Sequence, residues 1–191
     1  MDISISLIGL LLFSPLTLII MALIKLDSKG GAFFQQERVG KNGNIFNIYK
    51  FRTMIVGAEK EGPVWPKEND PRVTKVGRFL RKTYIDELPQ LLNVLKGDMS
   101  LVGPRPERVV FSERFNRTIP EFKKRLFIRP GITGYAQVKS GYYDFSRESI
   151  SKKNHYDLYY IRNSSLLRDL KIMFWTLGFL WKKIFQEEKR S

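Results

Sequence analysis

The chain has 191 residues, which predicts one domain with its own hydrophobic core. Its 33 lysines and arginines outnumber its 19 aspartates and glutamates, and the net charge of +14 indicates an anionic partner: a phosphorylated substrate, a membrane surface or a nucleic acid. The absence of cysteine excludes disulfides and thiolate metal sites, and a single histidine, His155, excludes a multi-histidine metal cluster.

An uncharged segment rich in isoleucine and leucine covers residues 3–24. At about 1.5 Å per residue, a helix of this length crosses a bilayer core of about 30 Å. A cleaved signal peptide is not indicated, because no basic residue precedes the segment and Lys25-Leu26-Asp27 is not a small-residue cleavage site. The segment therefore predicts attachment to a membrane.

Ser14 and Pro15 lie in the middle of this segment. Proline removes one backbone hydrogen bond and its ring displaces the preceding turn, so a kink is expected, and the Ser14 hydroxyl can bond to a carbonyl one turn earlier. The pattern alone favours a kinked spanning helix, and the alternative is a re-entrant helix that enters and leaves on one face. Both topologies place the chain after Lys25 on the cytoplasmic side, because the basic residues follow the segment.

A β-hairpin is predicted after the apolar segment. Residues 32–38 and 45–51 have the composition of strands, and residues 41–44 between them are typical of a hairpin turn. Lys50 and Arg52 flank Phe51, so the alternation of a strand places both cations on one face. That face is either solvated or a place to hold a diphosphate.

The stretch from Arg81 to Glu107 organises the rest of the chain. Residues 53–67 predict a loop with some helix, residues 69–72 a turn and residues 76–82 a helix. A second helix of about ten residues is then predicted to begin at Asp86, with Glu87 and Pro89 in its first turn, a buried face formed by the leucines that follow, and Gly97 as its C-cap.

Two adjacent carboxylates at a helix N-terminus have chemical consequences. The free N–H groups and the helix dipole favour an ionised Asp86 or Glu87, and they also favour a bound phosphate. With Arg81 upstream and Arg105 downstream, such a carboxylate could coordinate a divalent metal or attack phosphorus. The alternative is that Asp86 is only an N-cap and Glu87 an ordinary first-turn acid.

The second half of the chain carries further candidate elements. Pro104 and Pro106 bracket Arg105 and fix it in an extended form that presents its guanidinium to phosphate oxygens. Residues 113–125 predict an amphipathic helix, and residues 129–134 a loop whose glycines allow close approach to a ligand, although plain turns share this composition. Residues 142–151 predict irregular structure.

Two helical runs close the chain. Residues 156–160 begin a helix-like run in which Asp157, an acid among aromatic residues, is expected to pair with a cation or a metal. Residues 166–185 predict an amphipathic helix with aromatic residues and a basic border at its end. This helix lies either in the headgroup zone of a membrane or against the core of its own domain.

Taken together, these stretches resemble the monotopic phosphoglycosyl transferases, the bacterial sugar transferases that start glycan assembly on undecaprenyl phosphate. The resemblance covers almost the whole chain and rests on six ordered blocks: the apolar segment with Ser14-Pro15, YKFRTM at 49–54, Asp86-Glu87 with Leu-Pro-Gln, GDMSLVGPRP at 97–106, RPGITG at 129–134 and YDLYY at 156–160. Their number and order make the signal specific.

The resemblance implies a fold and a reaction. The expected fold class is α+β: a re-entrant membrane helix at residues 1–26, then a small, mostly helical catalytic domain at 27–191 with a short β-hairpin and an amphipathic helix at 166–186. The expected reaction transfers a phospho-sugar from a UDP-sugar to polyprenol phosphate and releases UMP, through a covalent aspartyl intermediate and with Mg²⁺. The sugar itself is not specified by these motifs.

Residue roles follow from the same resemblance. Asp86 is expected to be the nucleophile and Glu87 a ligand or orienter of Mg²⁺, while Asp157 supports the metal or the acceptor side. The phosphate oxygens are expected to lie against Lys50, Arg52, Arg81 and Arg105. The nucleotide is expected to contact Arg129, Gly131, Thr133 and Gly134.

The resemblance also bears on topology and partners. It favours the re-entrant arrangement with its break at Ser14-Pro15, on the cytoplasmic face of the bacterial inner membrane, beside anionic lipids. Family members usually carry a basic cluster just before the Asp2-Ile3 position, so a truncated N-terminus is expected. A homodimer is an open alternative. Two other functions are weighed: a non-catalytic basic scaffold on the membrane surface and, least favoured, a nucleic-acid binder.

Overall fold

The computed structural model describes residues 1–59, 62, 70–141 and 146–186. Within these ranges the chain is mostly helical with two small sheets, as the α+β prediction expects. The helices are α1 Asp2–Leu12, α2 Ser14–Asp27, α3 Lys75–Thr83, α4 Leu91–Lys96, α5 Val109–Thr118, α6 Tyr135–Ser140, α7 Arg147–Arg162 and α8 Leu166–Gln186. The strands are β1 Phe33–Val39, β2 Ile45–Phe51, β3 Ser100–Val102 and β4 Gly131–Thr133, and 3₁₀ turns form at Lys41–Gly43, Ile85–Gln90 and Phe122–Phe127.

The predicted β-hairpin is confirmed. Strands β1 and β2 are antiparallel, with Phe33 opposite Phe51 and Val39 opposite Ile45. Asn42 and Gly43 in the connecting turn both have positive φ, at 58° and 84°. Asparagine and glycine adopt this conformation at little cost, so the turn residues fix the register of the hairpin.

The prediction of a loop at residues 129–134 is wrong. Gly131–Thr133 is strand β4, which pairs in parallel with β3. A Cβ on Gly131 would lie 2.0 Å from the backbone N of Gly103, and a Cβ on Gly134 would lie 2.2 Å from the Gly103 carbonyl oxygen. The glycines therefore permit two backbones to touch, and this contact is with the protein's own chain.

Two hydrophobic clusters flank the hairpin. One buries Ile48 of β2 with Val94, Val102 and Ile172, which come from α4, β3 and α8. The other buries Phe51 at the end of β2 against α2 and α3. A third cluster holds α5, the Phe122–Phe127 turn and the start of α7 together. Strand β2 thus contributes Ile48 to one cluster and Phe51 to the other, and Lys50 lies between these two residues in the strand.

The N-terminal apolar segment forms two helices with a 60° bend between them. The Ser14 hydroxyl donates a hydrogen bond of 2.8 Å to the Leu11 carbonyl, so the predicted break at Ser14-Pro15 is confirmed. Among the described residues, no helix by itself has the length and apolarity to cross a membrane, although α1 and α2 together meet that test.

Both helices of this pair pack on the rest of the chain. Leu91 of α4 lies against Gly9 of α1, where an added Cβ would be 3.1 Å from Leu91 Cδ1. The Asp27 carboxylate at the end of α2 accepts a hydrogen bond of 2.9 Å from the Val76 N–H at the start of α3. The outer faces of α1 and α2 expose large aliphatic residues, among them Leu7, Leu11, Leu18 and Leu23.

Two helix predictions in the second half of the chain need correction. Helix α5 ends at Thr118 instead of continuing to residue 125, because Ile119 precedes Pro120 and leaves the helical region of φ and ψ. Helix α7 begins at Arg147, capped by the Ser146 hydroxyl, within a stretch predicted to be irregular up to residue 151. The predictions for residues 53–67, 69–72 and 142–151 lie in part outside the described residues, because residues 60–61, 63–69 and 142–145 are not described.

The predicted C-terminal helix is confirmed as α8. It buries Ile172, whereas Leu170, Phe174, Leu177 and Trp181 are exposed, with Phe174 exposed to 74%. The greater part of its apolar side therefore does not pack on the described residues, which disfavours the core-facing alternative for that side.

Candidate active site around Asp86 and Glu87

Asp86 and Glu87 lie in the 3₁₀ turn Ile85–Gln90, which runs directly into α4. The first turn of the predicted helix is therefore 3₁₀, and Gly97 ends α4 with φ 83°, as predicted. Tyr84 occupies the N-cap position and no side chain caps the turn, so the alternative that Asp86 is only an N-cap is wrong.

The predicted buried leucine face forms only in part: Leu88 and Leu91 are partly buried against the hydrophobic clusters. In α4 the fully buried residues are Asn93 and Val94, while Leu92 is 41% exposed. Asn93 explains this rotation, because its side-chain amide accepts from the Tyr49 N–H at 3.0 Å and donates to the Asn47 carbonyl at 2.8 Å. These two bonds fasten α4 to the free edge of β2 and so bring Lys50 beside the 3₁₀ turn.

Glu87 is held by two cations. Lys50 Nζ lies 2.7 Å from Glu87 Oε1. The Arg105 guanidinium bonds to both carboxylate oxygens, with Nη1 3.0 Å from Oε2 and Nη2 against Oε1. Such a bidentate pair fixes the plane of the carboxylate relative to that of the guanidinium, so Glu87 and Arg105 orient each other.

Asp86 is less engaged. Its Oδ2 lies 3.8 Å from Lys50 Nζ, beyond hydrogen-bond distance, although the residue is only 7% exposed. Arg81 contributes positive charge on another side, and its Nε donates a hydrogen bond of 2.8 Å to Thr53 Oγ1. A buried carboxylate among cations, with oxygens only loosely engaged by Lys50, is well placed to meet a ligand.

The two carboxyls have opposite pKa shifts. Burial raises the pKa of Asp86 and the Glu87 charge adds to this, so that Lys50 compensates only in part. Burial would also raise the pKa of Glu87, but the Arg105 guanidinium and the Lys50 ammonium outweigh it and lower that pKa below its usual range. Glu87 is therefore a fixed anion, whereas the charge of Asp86 responds to its surroundings.

Arg52 has a different place from Lys50. It is buried, and its guanidinium donates to the carbonyls of Lys29, at 2.5 Å, and Ser28, at 2.9 Å, just beyond the end of α2. Strand β2 ends at Phe51, so the strand alternation that was expected to align the two cations does not extend to Arg52. Contact between Arg52 and a substrate stays a prediction.

Asp157 lies outside this group. It is 2% exposed, and its Oδ2 forms an ion pair of 2.8 Å with Arg125 Nη2. In the part of the chain that the structure describes, no three acidic or histidine side chains come together as a metal site. A shared metal site of Asp157 and Glu87 therefore finds no support in this geometry.

The residues of the fifth motif also lie apart from the dyad. Arg129 is exposed, and its Nη2 would be 3.9 Å from a Cβ on Gly97, at the opposite end of α4. The Thr133 hydroxyl lies 2.7 Å from the Thr176 hydroxyl of α8. With Gly131 and Gly134 packed on Gly103, nucleotide contact by this motif stays a prediction.

The structure therefore brings together Lys50, Arg81, Asp86, Glu87 and Arg105. Sequence reasoning missed the partners that support them, which are Thr53, Tyr84, Glu107 and Arg125. Thr53 lies within YKFRTM and Glu107 directly follows GDMSLVGPRP, so position in or next to a motif is the one signal that could have found these two.

The chain is similar to known proteins over almost its whole length. The family model described as bacterial sugar transferase matches residues 1–183. An Aeromonas hydrophila protein named UDP-N-acetylgalactosamine-undecaprenyl-phosphate N-acetylgalactosaminephosphotransferase is 50% identical over 93% of this chain and 42% of its own length. A Klebsiella pneumoniae protein named UDP-glucose:undecaprenyl-phosphate glucose-1-phosphate transferase is 44% identical over 96% of this chain and 40% of its own length.

The relatives differ in length. This chain spans about two fifths of the Aeromonas and Klebsiella proteins, but it covers 90% of a Rhizobium leguminosarum protein named exopolysaccharide production protein PSS, to which it is 41% identical. The family model covers the apolar helix pair, the hairpin and the carboxylate dyad, and the relatives match almost the whole chain although their own lengths differ.

Proposed function

The chain belongs to the bacterial sugar transferase family, and we propose that it transfers a sugar 1-phosphate from a UDP-sugar to undecaprenyl phosphate and releases UMP. The observation that carries this proposal is the buried Asp86-Glu87 dyad surrounded by Lys50, Arg81 and Arg105. Transfer at phosphorus needs positioned cations and a nucleophile more than it needs proton transfer, and this group supplies both.

Asp86 is the proposed nucleophile. One of its oxygens attacks the β-phosphorus of the UDP-sugar, the bond from that phosphorus to the bridging oxygen breaks, and the electron pair leaves with UMP. The product is a covalent aspartyl phospho-sugar. The loose engagement of Asp86, against the three hydrogen bonds from Lys50 and Arg105 to Glu87, supports this assignment.

The second step returns the enzyme to its starting state. An oxygen of undecaprenyl phosphate attacks the same phosphorus, and the bond from phosphorus to Asp86 breaks with its electron pair on the carboxylate. Lys50, Arg81 and Arg105 would neutralise the negative charge that spreads over the phosphoryl oxygens in both steps. No residue has to act as a general base, because both nucleophiles are already anions.

Mg²⁺ is the proposed cofactor. The donor set fits, because Mg²⁺ is usually bound through one or two carboxylates together with substrate phosphates, and Asp86 and Glu87 lie among phosphate-binding cations. Bound there, it would neutralise the diphosphate charge. The ionic bonds of Glu87 with Lys50 and Arg105 keep this carboxylate in place and ionised for that role.

A membrane location is part of the proposal: the cytoplasmic face of the bacterial inner membrane, with anionic lipids around the basic chain. Both ends of the bent pair lie against the rest of the chain, since Asp27 bonds to α3 and the charge of Asp2 contributes to the raised pKa of Asp169. The exposed Ser14 break lies between them, which supports a re-entrant insertion over a span.

The sugar is left open. Relatives between 44% and 50% identical are named for different sugars, N-acetylgalactosamine and glucose, so overall identity does not select one. A panel of UDP-N-acetylgalactosamine, UDP-glucose and UDP-galactose is therefore the right set of donors, because the last also matches a relative named galactosyl transferase.

The test combines two measurements on the full chain in detergent or lipid. Intact mass with MgCl₂ and each UDP-sugar should show one added phospho-sugar in the wild type and none in Asp86→Asn. UMP should be released with undecaprenyl phosphate. Asp98→Asn is the matched control, because this carboxylate lies just beyond the other end of α4 and accepts from Asn93. Absence of UMP release with every donor would refute the transferase, while release without the mass increment would refute the covalent step.

A further inference from the structure

We propose that Arg125, held by Asp157 and Glu107, is a positioning residue that acts through the backbone of Arg105 on the carboxylate dyad. This inference rests on the proposed function and assigns to Asp157 a role behind the site in place of metal binding. It concerns the segment from Pro104 to Glu107, in which the Arg105 guanidinium binds the Glu87 carboxylate.

Four consecutive carbonyls of this segment accept hydrogen bonds from three elements, which are β1, β4 and the Phe122–Phe127 turn. The Pro104 carbonyl accepts from Gly131 N–H at 3.0 Å, and the Glu107 carbonyl accepts from Val39 N–H at 3.0 Å. Side chains donate to the two carbonyls in the middle: Arg125 Nη2 lies 2.8 Å from the Arg105 oxygen, and Arg38 Nη1 lies 3.2 Å from the Pro106 oxygen.

The segment has no regular secondary structure, yet all four carbonyls are paired within the protein, as buried backbone groups require. Here the two prolines fix φ and the four hydrogen bonds fix the peptide planes, so the Cα–Cβ direction of Arg105 is determined on both sides. The fixed backbone sets the starting point of the Arg105 side chain, whose guanidinium bonds to both oxygens of Glu87.

Arg125 is itself fixed by buried charge. It is 3% exposed, forms ion pairs with Asp157 at 2.8 Å and with Glu107 at 3.3 Å, and lies over the Phe122 ring. Lys153 completes the group by bonding to the same Glu107 oxygen. Arg125, Lys153, Glu107 and Asp157 form a tetrad with two positive and two negative side chains. Its net charge is therefore zero, and no metal is needed to balance it.

Burial of the tetrad is expected to lower the free energy of unfolding, which suggests that these charges have a functional role. Burying four charges costs free energy that their mutual attraction seldom repays, and apolar residues of similar volume would often do as well. Arg125 Nε and Asp157 Oδ2 are moreover buried without an aligned hydrogen bond. What an apolar replacement could not supply is the N–H directed at the Arg105 carbonyl, and this is the feature that the proposal identifies as functional.

The experiment is a double-mutant cycle between residues 125 and 105, measured as kcat/KM for the UDP-sugar. Arg125→Lys keeps the charge but loses the guanidinium geometry, so misplacement of Arg105 should lower kcat/KM by about 10- to 100-fold in the wild-type background. In the Arg105→Ala background the same change should cost less than about threefold, because the residue that it positions is gone. Equal fold losses in both backgrounds would overturn the proposal, since they would mean a merely structural role.

Two further variants guard against simple loss of folding. Asp157→Asn leaves Arg125 its Glu107 partner and should reproduce the non-additive pattern with a smaller loss. Tyr160→Phe removes a partly buried hydrogen bond of 2.6 Å to Asp169, away from the Arg125 group, and its effect should be the same in both backgrounds. Additivity of Asp157→Asn with Arg105→Ala would also count against the proposal.

A readout without substrate separates this inference from the proposed function. Amide hydrogen exchange of the Gly131 and Val39 N–H groups, which donate to the Pro104 and Glu107 carbonyls, should become about tenfold faster in Arg125→Lys and stay unchanged in Tyr160→Phe. If the wild type releases no UMP with any donor, the proposed function fails, and exchange alone then decides whether Arg125 holds the segment. Unchanged exchange in Arg125→Lys would overturn the inference in either case.

Discussion

Lys183 and Tyr84 are 99 positions apart, and the Lys183 ammonium donates a hydrogen bond of 2.9 Å to the Tyr84 hydroxyl. Tyr84 has the left-handed φ of 58°, which costs a residue with a side chain about 1 kcal/mol, and it immediately precedes the turn that carries the dyad. Phe179 packs edge-on against the same ring. Helix α8, whose apolar side is largely exposed elsewhere, thus contacts the strained residue that immediately precedes the turn with Asp86.

This relationship predicts a loss of activity from a residue remote in sequence. Lys183→Met keeps the length of the side chain but removes the hydrogen bond, so Tyr84 should hold its conformation less firmly and kcat should fall about three- to tenfold, as for other supports of a catalytic group. Steady-state kinetics on lipid-reconstituted protein would measure it. Lys182→Met is the control, because that side chain is exposed on α8, and equal losses in both variants would contradict the prediction.

The opposite pKa shifts of the dyad predict opposite effects on stability. The pKa of Asp86 is raised, so its ionised form opposes folding at neutral pH, and Asp86→Asn should leave the thermal midpoint unchanged or raise it by about 2–4 °C while it abolishes activity. The pKa of Glu87 is lowered, so its charge stabilises the fold above its unfolded pKa, and this contribution is lost only as pH falls through the folded pKa. Glu87→Gln leaves Lys50 and Arg105 without their shared anion and should cost about 3 kcal/mol.

Calorimetry at pH 8 and pH 5 would measure the thermal midpoints of both variants and so test the direction of each stability change. The advantage of Asp86→Asn over the wild type should shrink at pH 5, because protonation of Asp86 removes the same unfavourable charge. A lower midpoint for Asp86→Asn than for Glu87→Gln at pH 8 would contradict the assignment of the two carboxyls.

Removal of the Lys50 ammonium predicts a shift of the pH profile. Lys50 lowers the pKa of both carboxyls, so in Lys50→Gln these pKa values rise and the acid limb of kcat/KM should move to higher pH by about one unit. The profile is measured with UMP release between pH 5 and 9. Lys96→Gln, which removes another ammonium near β2, bonded to the Tyr49 hydroxyl, should leave the limb in place. A shift of the same size in both variants would mean that net charge alone is responsible.

How much of this architecture could be predicted depends on how local its causes are. The hairpin follows from Asn42-Gly43, the helix break from Ser14-Pro15 and the end of α4 from Gly97, because each is set by the conformational preference of one or two residues. The cations around the dyad were anticipated from their motifs. The motifs did not predict the distances between these cations and the carboxylates, or that Glu87 is bound more closely than Asp86.

The predictions that failed concern features with non-local causes. Strand β4 has three residues beside a proline and two glycines, a composition typical of a turn, and only the approach of Gly103 makes it a strand. The tetrad of Glu107, Arg125, Lys153 and Asp157 joins three separate elements, and no local pattern marks which buried charges will meet. Arg52 belongs to the same motif as Lys50 but is used at the end of α2, a contact that depends on the fold as a whole.

The close contact of β3 and β4 predicts a large effect of one methyl group. A Cβ on Gly131 would lie 2.0 Å from Gly103 N and 2.4 Å from the Thr133 oxygen, both backbone atoms that cannot move aside cheaply. Gly131→Ala should therefore lower the free energy of unfolding by about 2 kcal/mol or more, a typical cost of overpacking, and displace the Pro104 carbonyl that Gly131 holds. Gly178→Ala in α8 is the matched control and should stabilise by about 0.5–1 kcal/mol, since nothing lies within 4 Å of its added Cβ. Similar midpoints for the two variants would contradict the prediction.

The bent helix pair predicts a topology that single cysteines can test, since the chain contains none of its own. In a re-entrant arrangement Asp2 and Lys29 lie at the same membrane face and Ser14 lies inside the bilayer. Asp2→Cys and Lys29→Cys should thus react with a membrane-impermeant maleimide in inverted vesicles and not in intact spheroplasts, whereas Ser14→Cys should react in neither. Reaction of Asp2→Cys from the outer face would instead establish a span. Rapid reaction of Ser14→Cys from the cytoplasmic side would mean that the pair does not enter the membrane, because its break would then be in water.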